Sequence, residues 1–287
     1  MNGHLKIEYA KEEDFNLIKE KVTSFFNLPE GHFEKYVPVL YKKDINTYKN
    51  HIIAKINNEI VGVFAFVRRL ININNNTFNM TVVGSICVDP RYRKQGIMTK
   101  MWDFFFKEFD STTDCYVLSG DYSRYINYGF HPQDSLKMYF VETSDKDSNF
   151  TFVPATANDE LALIEIYNNK ESKVDRNYGM YDALCMWGIV PYIIKKDGMT
   201  IGYLAFDHRF KVIEEIVISG DTLLNEISES FATFINGNVY FKISILNKEQ
   251  EKFFLKDYKY ELYQERTLYK IINQKIKKIY YPRNDLI

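Results

Sequence analysis

Thiols are scarce in this chain of 287 residues: only Cys87, Cys115 and Cys185 occur, an odd number with no CxxC pair. That excludes a disulfide framework and a cysteine-built zinc site, and it is the usage of a reducing compartment. Cys87 and Cys115 lie inside the apolar runs Ile86–Val88 and Cys115–Leu118, where a thiol behaves as a small hydrophobe. Cys115 is therefore expected to pack rather than to act as a nucleophile. An excess of charge is also lacking, with 37 Lys and Arg against 38 Asp and Glu and a formal net charge of -1. No global field draws the protein to nucleic acid or anionic lipid, so any charged partner must be recognised locally. No apolar run is long enough to span a bilayer, and the first residues, Met1-Asn2-Gly3-His4, are polar. The expectation is a cytoplasmic protein without leader, anchor or membrane partner. His4, His32, His51, His131 and His208 form no HxxxH and no cluster at metal-ligand spacing, so no metal is expected. Neither G-x-G-x-x-G nor G-x-x-x-x-G-K-S/T occurs, which excludes a dinucleotide fingerprint and a P-loop.

What the chain has in abundance is aromatic side chains: 22 Tyr, 22 Phe and 2 Trp. They are not interleaved with Lys and Arg clusters, so they are assigned to core packing rather than to base stacking, and no nucleic-acid partner is expected. The length favours two domains over one. Phe15, Ile18, Val22, Phe25 and Phe26 recur at helical spacing within Glu12–Phe26, with acidic residues at the positive end. A weaker helical stretch covers Phe33–Tyr41. His51–Ile56 and Ile60–Arg68 read as strands joined by a tight turn at Asn57-Asn58, and Thr77–Val88 reads as a strand pair or one long strand. From Ile97 the period changes to 3.6, with Met98, Met101, Trp102, Phe105 and Phe109 on one face. Cys115–Leu118 is a short buried strand, and Phe130 opens a segment running through Lys137–Val141. The polar stretch Thr143–Asn149 is the best linker, dividing the chain into 1–145 and 150–287.

One internal match is informative. Ile53–Phe66 and Ile193–Phe206 agree at five of 14 positions at a constant offset of 140: 53/193, 55/195, 62/202, 65/205 and 66/206. Tyr128-Gly129-Phe130 is echoed by Tyr258-Lys259-Tyr260, each ahead of a predicted strand. The reading is two copies of one architecture in tandem.

Chemistry concentrates in Gly84–Thr99: an apolar strand, a proline that ends it, a basic loop, and Gly96 opening a helix. The first N–H groups of a helix have no intrahelical partner and stand at the positive end of its dipole, so a diphosphate fits there. Arg91, Arg93 and Lys94 add charge at the same mouth.

The order Val88, Pro90, Arg93, Gly96, followed after one helix and one strand by Tyr125-Ile-Asn-Tyr-Gly-Phe130, resembles the GNAT N-acetyltransferases. Their pyrophosphate loop is written Q/R-x-x-G-x-G/A and here reads Arg93-Lys94-Gln95-Gly96-Ile97-Met98. Met98 departs from the last position in a way that is similar to the enhanced intracellular survival type branch, where bulky residues follow the glycine. That branch carries a second, degenerate GNAT-like domain, so the resemblance implies an α/β (α+β) chain of two tandem GNAT-like domains, each a mixed central sheet flanked by helices. It also carries a third, sterol-carrier-like domain, for which 287 residues are expected to leave no room. The resemblance implies acetyl-CoA as cosubstrate and direct transfer to an amine on a small molecule or peptide. The backbone of Ile86, Cys87 and Val88 would pair with the pantetheine arm. Arg93, Lys94, Gln95, Gly96, Ile97, Met98 and Thr99 would hold the pyrophosphate, and Tyr125 would protonate the departing thiolate.

Tyr122 is the neighbouring alternative for that acid. For the base, Asp121, Glu108 and the Ile287 carboxylate are open, as is the absence of a dedicated base. Gly220–Leu224, where the second copy should carry its loop, has no Arg and contains Asp221, so the second domain is expected to bind no coenzyme and to shape the acceptor pocket. The rival function is a coenzyme A binding regulatory module without turnover. The acceptor and the oligomeric state are not legible in the sequence.

Overall fold

Helical spacing of Phe15, Ile18, Val22 and Phe25 produces an amphipathic helix whose buried face is those four residues. It is α1 (Phe15–Phe26), and it follows strand β1 (Leu5–Tyr9). The computed structural model describes residues 4–42, 46–73, 76–132, 135–144, 148–170, 173–176, 179–218, 224–244, 258–264 and 266–276. Helices α2 (His32–Tyr36) and α3 (Pro38–Tyr41) then lead to strands β2 (His51–Ile56), β3 (Glu59–Ile73) and β4 (Asn76–Val88). The region around Thr77 is thus one long strand, and β3 runs past Arg68 because it pairs with β4 as far as Ile73. Next come α4 (Ile97–Phe109), β5 (Cys115–Ser119), the single turn α5 (Tyr122–Tyr125) and the short strand β6 (His131–Pro132).

The rest of the chain forms β7 (Ser135–Val141), β8 (Phe150–Pro154), α6 (Glu160–Asn168), β9 (Lys173–Val174) and α7 (Met180–Leu184). It continues with β10 (Val190–Lys196), β11 (Met199–Asp207), β12 (Val212–Ile218), α8 (Leu224–Phe234), β13 (Val239–Ser244), β14 (Tyr260–Gln264) and β15 (Thr267–Ile271). Two mixed sheets result. One has the order β1-β2-β3-β4-β5-β15-β6 with β9 added to β3, and the other the order β14-β7-β13-β12-β11-β10-β8. Each has one parallel pair, β4–β5 and β12–β13, with a helix in the crossover.

The repeat read from the sequence is a repeat of geometry. Asn57-Asn58 and Asp197-Gly198 both turn with positive φ at the two central residues, as the tight hairpin requires. Both hairpins shift register at the same place, after Ala54 and after Ile194, opposite Gly62 and Gly202. A side chain at Gly62 would meet Met101 of α4, and one at Gly202 would meet the Val217 carbonyl, so both copies keep glycine for close approach.

The two sheets exchange strands. β7, which precedes the linker at 145–150, lies in the second sheet between β13 and β14, while β15, near the end of the described chain, lies in the first sheet between β5 and β6. Met186 and Trp187 of the second half pack into the first core with Phe33, Val37 and Leu40. Lys42 meets Asp182 at 3.0 Å, and the Tyr36 ring rests on Gly188. The second half therefore builds part of the first core.

That core also encloses His51, which has no exposed surface. Its Nδ1 donates to the Thr47 carbonyl at 2.9 Å, its Nε2 has no partner, and burial pushes its pKa down to about 4. The unfolded chain takes up this proton near pH 6.5 and the folded chain does not, so the stability from neutral His51 is complete above pH 6.5 and lost as pH falls toward 4. The loss amounts to roughly 3 kcal/mol. Denaturant titrations at pH 7 and pH 4.5 should show a smaller drop for His51→Phe than for wild type. Equal drops would assign the acid sensitivity elsewhere.

Candidate active site

Strands β4 and β5 run together only from Met80–Cys115 to Val83–Leu118. Beyond that point β5 ends at Ser119, while Gly84–Val88 continues with β3 on one edge and no strand on the other among the described residues. A bulge drives the two apart: Val63 pairs with Cys87 but Ala65 with Gly84, so β4 carries one extra residue, and Ser85 takes φ +48. Ser85 and Ile86 are half-buried, and Cys87 and Val88 are buried at 7% and 9% exposure. The free edge of Ile86, Cys87 and Val88 offers main-chain donors and acceptors to an extended, amide-bearing ligand, in the manner of an added strand.

At the end of this edge, Asp89 caps a turn at Pro90–Tyr92 by accepting from the Arg91 N–H. The chain then enters the loop to α4, where Lys94 (φ +62) and Gly96 (φ +74) are both left-handed. No side chain caps the helix at Gly96, and nothing lies within 4 Å of where its side chain would stand. Among the described residues the N–H groups of Lys94, Gln95, Gly96, Ile97, Met98 and Thr99 have no acceptor; the next one, at Lys100, bonds to the Gly96 carbonyl. This is a concave row of donors at a helix N-terminus, the arrangement that takes a phosphate.

The basic side chains around it divide by task. Arg91 is neutralised by Asp89 at 2.7 Å and Glu59 at 2.5 Å, and its hydrogen bonds hold the Asp89 carboxyl below the usual range. Arg93 donates from Nε to the Val88 carbonyl at 3.1 Å and from Nη2 to the Phe25 carbonyl at 3.4 Å, bracing the strand end against α1. Lys94 is exposed and makes no ion pair among the described residues, which leaves it as the loop's uncommitted cation.

Across the split, Tyr125 ends α5 with its ring lying over Gly120 and edge-on to Trp102 and Phe130. Among the described residues its hydroxyl has no hydrogen-bond partner, burial pushes its pKa up, and the Cys87 thiol is within electrostatic reach. Tyr122 is instead bonded to His131 Nδ1 at 3.2 Å, and Tyr128 to Thr99 at 3.2 Å while stacked on Trp102. Of the three tyrosines in this turn, Tyr125 alone has a free hydroxyl at the split. The thiol of Cys87, pushed up to about 12 by burial, is no nucleophile. The carboxylates open as bases are otherwise engaged: Asp121 caps α5 through Ser123, and Glu108 faces the Tyr9 hydroxyl. Ile287 lies outside the described residues. No His, Cys, Asp or Glu group fit for a metal occurs among the described residues.

The second sheet repeats the split and closes it. β12 and β13 pair only at Val212–Tyr240 and Ile213–Phe241, with a bulge at Glu214. The next residues, Glu214 and Lys242, form a buried ion pair of 2.6 Å at the fork. The loop that follows, Gly220–Asp221 in the sequence reading, lies outside the described residues.

Residues 6–133 match the family described as Acetyltransferase (GNAT) domain. No curated protein matches the sequence. Among solved structures, the chain is similar to a probable N-acyltransferase from Enterococcus faecalis V583, with 13% identity and a TM-score of 0.74 over 94% of this chain and 73% of that one. It is similar to a GCN5-related N-acetyltransferase from Anabaena variabilis, with 16% identity and a TM-score of 0.69 over 93% and 73%. It is also similar to Eis1 from Mycobacterium abscessus, with 12% identity and a TM-score of 0.64 over 94% and 74%. At these identities the likeness is one of fold, and it extends over both sheets.

Proposed function

We propose that the protein, whose residues 6–133 match the GNAT acetyltransferase domain, is an acetyl-CoA dependent N-acetyltransferase that transfers its acetyl group directly to an amine, in a site built on the β4–β5 split. The observation that carries this reading is the coincidence of three things at one split: an unpaired strand edge, a row of free N–H groups at Lys94–Thr99, and a phenol with an unengaged hydroxyl at Tyr125. The edge Ile86–Val88 takes the amides of the pantetheine arm. The loop N–H groups and Lys94 take the diphosphate, with Arg93 fixing the loop to the strand. This sets the thioester beside the bulge, below Tyr125.

In the reaction the amine nitrogen attacks the thioester carbon, and the C–S bond then breaks. The sulfur takes the electron pair and receives the Tyr125 proton, the nitrogen gives up one proton to water as the amide forms, and the phenolate regains a proton from water. A phenol whose pKa is raised by burial stays protonated throughout the neutral range, so the donor is always charged with its proton. The second half binds no coenzyme in this reading, since Glu214 and Lys242 fill its fork, and it serves by completing the first core and buttressing α2 and α3.

Incubation of the full chain with acetyl-CoA and a panel of amines, followed by thiol release, tests the proposal. Amine-dependent release is expected. Coenzyme binding without release from any amine would favour a coenzyme-sensing module.

A further inference from the structure

The turn that carries Tyr125 is gripped at both ends by a strand from the second half of the chain. It leaves β5 at Gly120 and re-enters the first sheet at β6, and β15 runs between those two strands. The Gly120 N–H donates to the Arg266 carbonyl at 2.9 Å, while Leu268 and Tyr269 pair with Pro132 and His131. Between these grips stands α5, a helix of one turn, which does not hold itself in water. Its place depends on what packs against it.

One side chain of β15 reaches over this turn. Lys270 pairs with Tyr116 in the sheet, and its stem passes over Gly129, 3.7 Å from where a side chain there would begin. Its half-buried ammonium lies 3.4 Å from the centre of the Phe106 ring and 5.7 Å from that of Tyr116, and makes no ion pair among the described residues. Phe106 stacks on Trp102 at 5.0 Å, Tyr128 stacks on the same indole at 5.1 Å, and the Tyr125 ring meets it edge-on at 6.3 Å. Trp102 and Phe106 stand four residues apart on α4 and so share one face of it. Lys270, the two α4 rings and the two tyrosines are thus one packed unit, and the 3.2 Å bond between Tyr128 and Thr99 joins it to the first turn of α4.

We propose that Lys270 is a positioning residue for the acid: from the second half it clamps the Tyr125 turn against α4 and so sets the depth of the Tyr125 hydroxyl at the split. An ammonium drawn out of water onto an aromatic face is attracted by the ring quadrupole, and the aliphatic stem adds contact with the turn. Lys270 acts through the turn and touches no reacting atom. The second half thereby takes part in the chemistry, since β15 brings the clamp only when the whole chain has folded.

This inference rests on the reading of Tyr125 as the acid, and the test keeps the two apart. Thiol release from acetyl-CoA with the best amine of the panel, and hydrogen exchange over residues 120–132, are measured on full-length wild type, Lys270→Ala, Lys270→Arg, Tyr125→Phe and the variant with both Lys270→Ala and Tyr125→Phe. Lys270→Ala should lower kcat by about ten-fold with coenzyme A affinity kept. It should speed exchange in the turn by about ten-fold and leave β2 and β3 unchanged. Lys270→Arg, which keeps a cation on the ring, should hold kcat within about three-fold of wild type. Where Tyr125 is already Phe, Lys270→Ala should lower kcat no further, because the group it positions is gone. Should Lys270→Ala fail to fold, Lys270→Val, branched as strands favour, carries the same expectations. Unchanged kcat, unchanged exchange in the turn, or an equal loss of kcat with and without the Tyr125 hydroxyl would each overturn the clamp. No thiol release from wild type, or an unchanged kcat in Tyr125→Phe, would instead overturn the functional reading, and the exchange rates would then judge the clamp alone.

Discussion

A chain cut after Ser144 should fail to fold, giving insoluble or non-cooperative protein with no acetyl transfer. The cut falls at the linker that the sequence suggests, yet it removes β9 and β15 from the first sheet and strands β7 without its partners β13 and β14. Val174, Met186, Leu268 and Ile276, each at most 4% exposed, leave the first core. Their burial contributes about 6–12 kcal/mol on side-chain transfer values, as much as the whole net stability of a domain, about 5–15 kcal/mol. The open flank of β5 and the freed strand β7 are also unpaired edges that invite aggregation. Circular dichroism and a denaturant melt of the fragment decide the matter. A soluble fragment with a cooperative transition would show that the exchanged strands are dispensable.

Tyr125→Phe should lower kcat by about 100-fold or more while leaving acetyl-CoA affinity unchanged. The substitution keeps the ring on Gly120 and against Trp102 and Phe130, so only the hydroxyl is lost, and that hydroxyl has no partner among the described residues. Steady-state rates and a binding titration separate the two quantities. An unchanged kcat would remove Tyr125 from the chemistry. The pH profile gives a second check: burial raises the Tyr125 pKa from an ordinary value near 10, so no alkaline decline from loss of its proton is expected below about pH 10.

Local features were legible in the sequence because they are written in neighbouring residues. The turn at Asn57-Asn58, the period of α4, the proline that stops β4 and the glycine that opens the helix all act within a few positions. The tandem repeat was legible for the same reason, since each copy rewrites its own hairpin. What the sequence hides depends on distant parts meeting. Nothing near Thr267–Ile271 says that it lies between β5 and β6, strands at Cys115–Ser119 and His131–Pro132 far upstream in the chain.

The site divides along the same line. Val88, Gly96 and Tyr125 stand out by spacing, but Arg91 and Arg93 look alike in sequence and differ in the fold, one held by two carboxylates and the other by two carbonyls. Tyr41 belongs to a weak helical stretch, and only the packed core shows what surrounds its hydroxyl. A helical period can show that Tyr41 is buried; it cannot show that its hydroxyl has no partner.

Calorimetric titration of the full chain with acetyl-CoA, repeated on Gly96→Glu, tests the central claim most directly. The variant puts a carboxylate into the row of free N–H groups at a position whose φ of +74 disfavours any side chain. The account predicts saturable binding of one acetyl-CoA per wild-type chain, since the second fork is filled by Glu214 and Lys242, and its loss in the variant. Absence of binding to the wild type, or binding that survives Gly96→Glu unchanged, would contradict it.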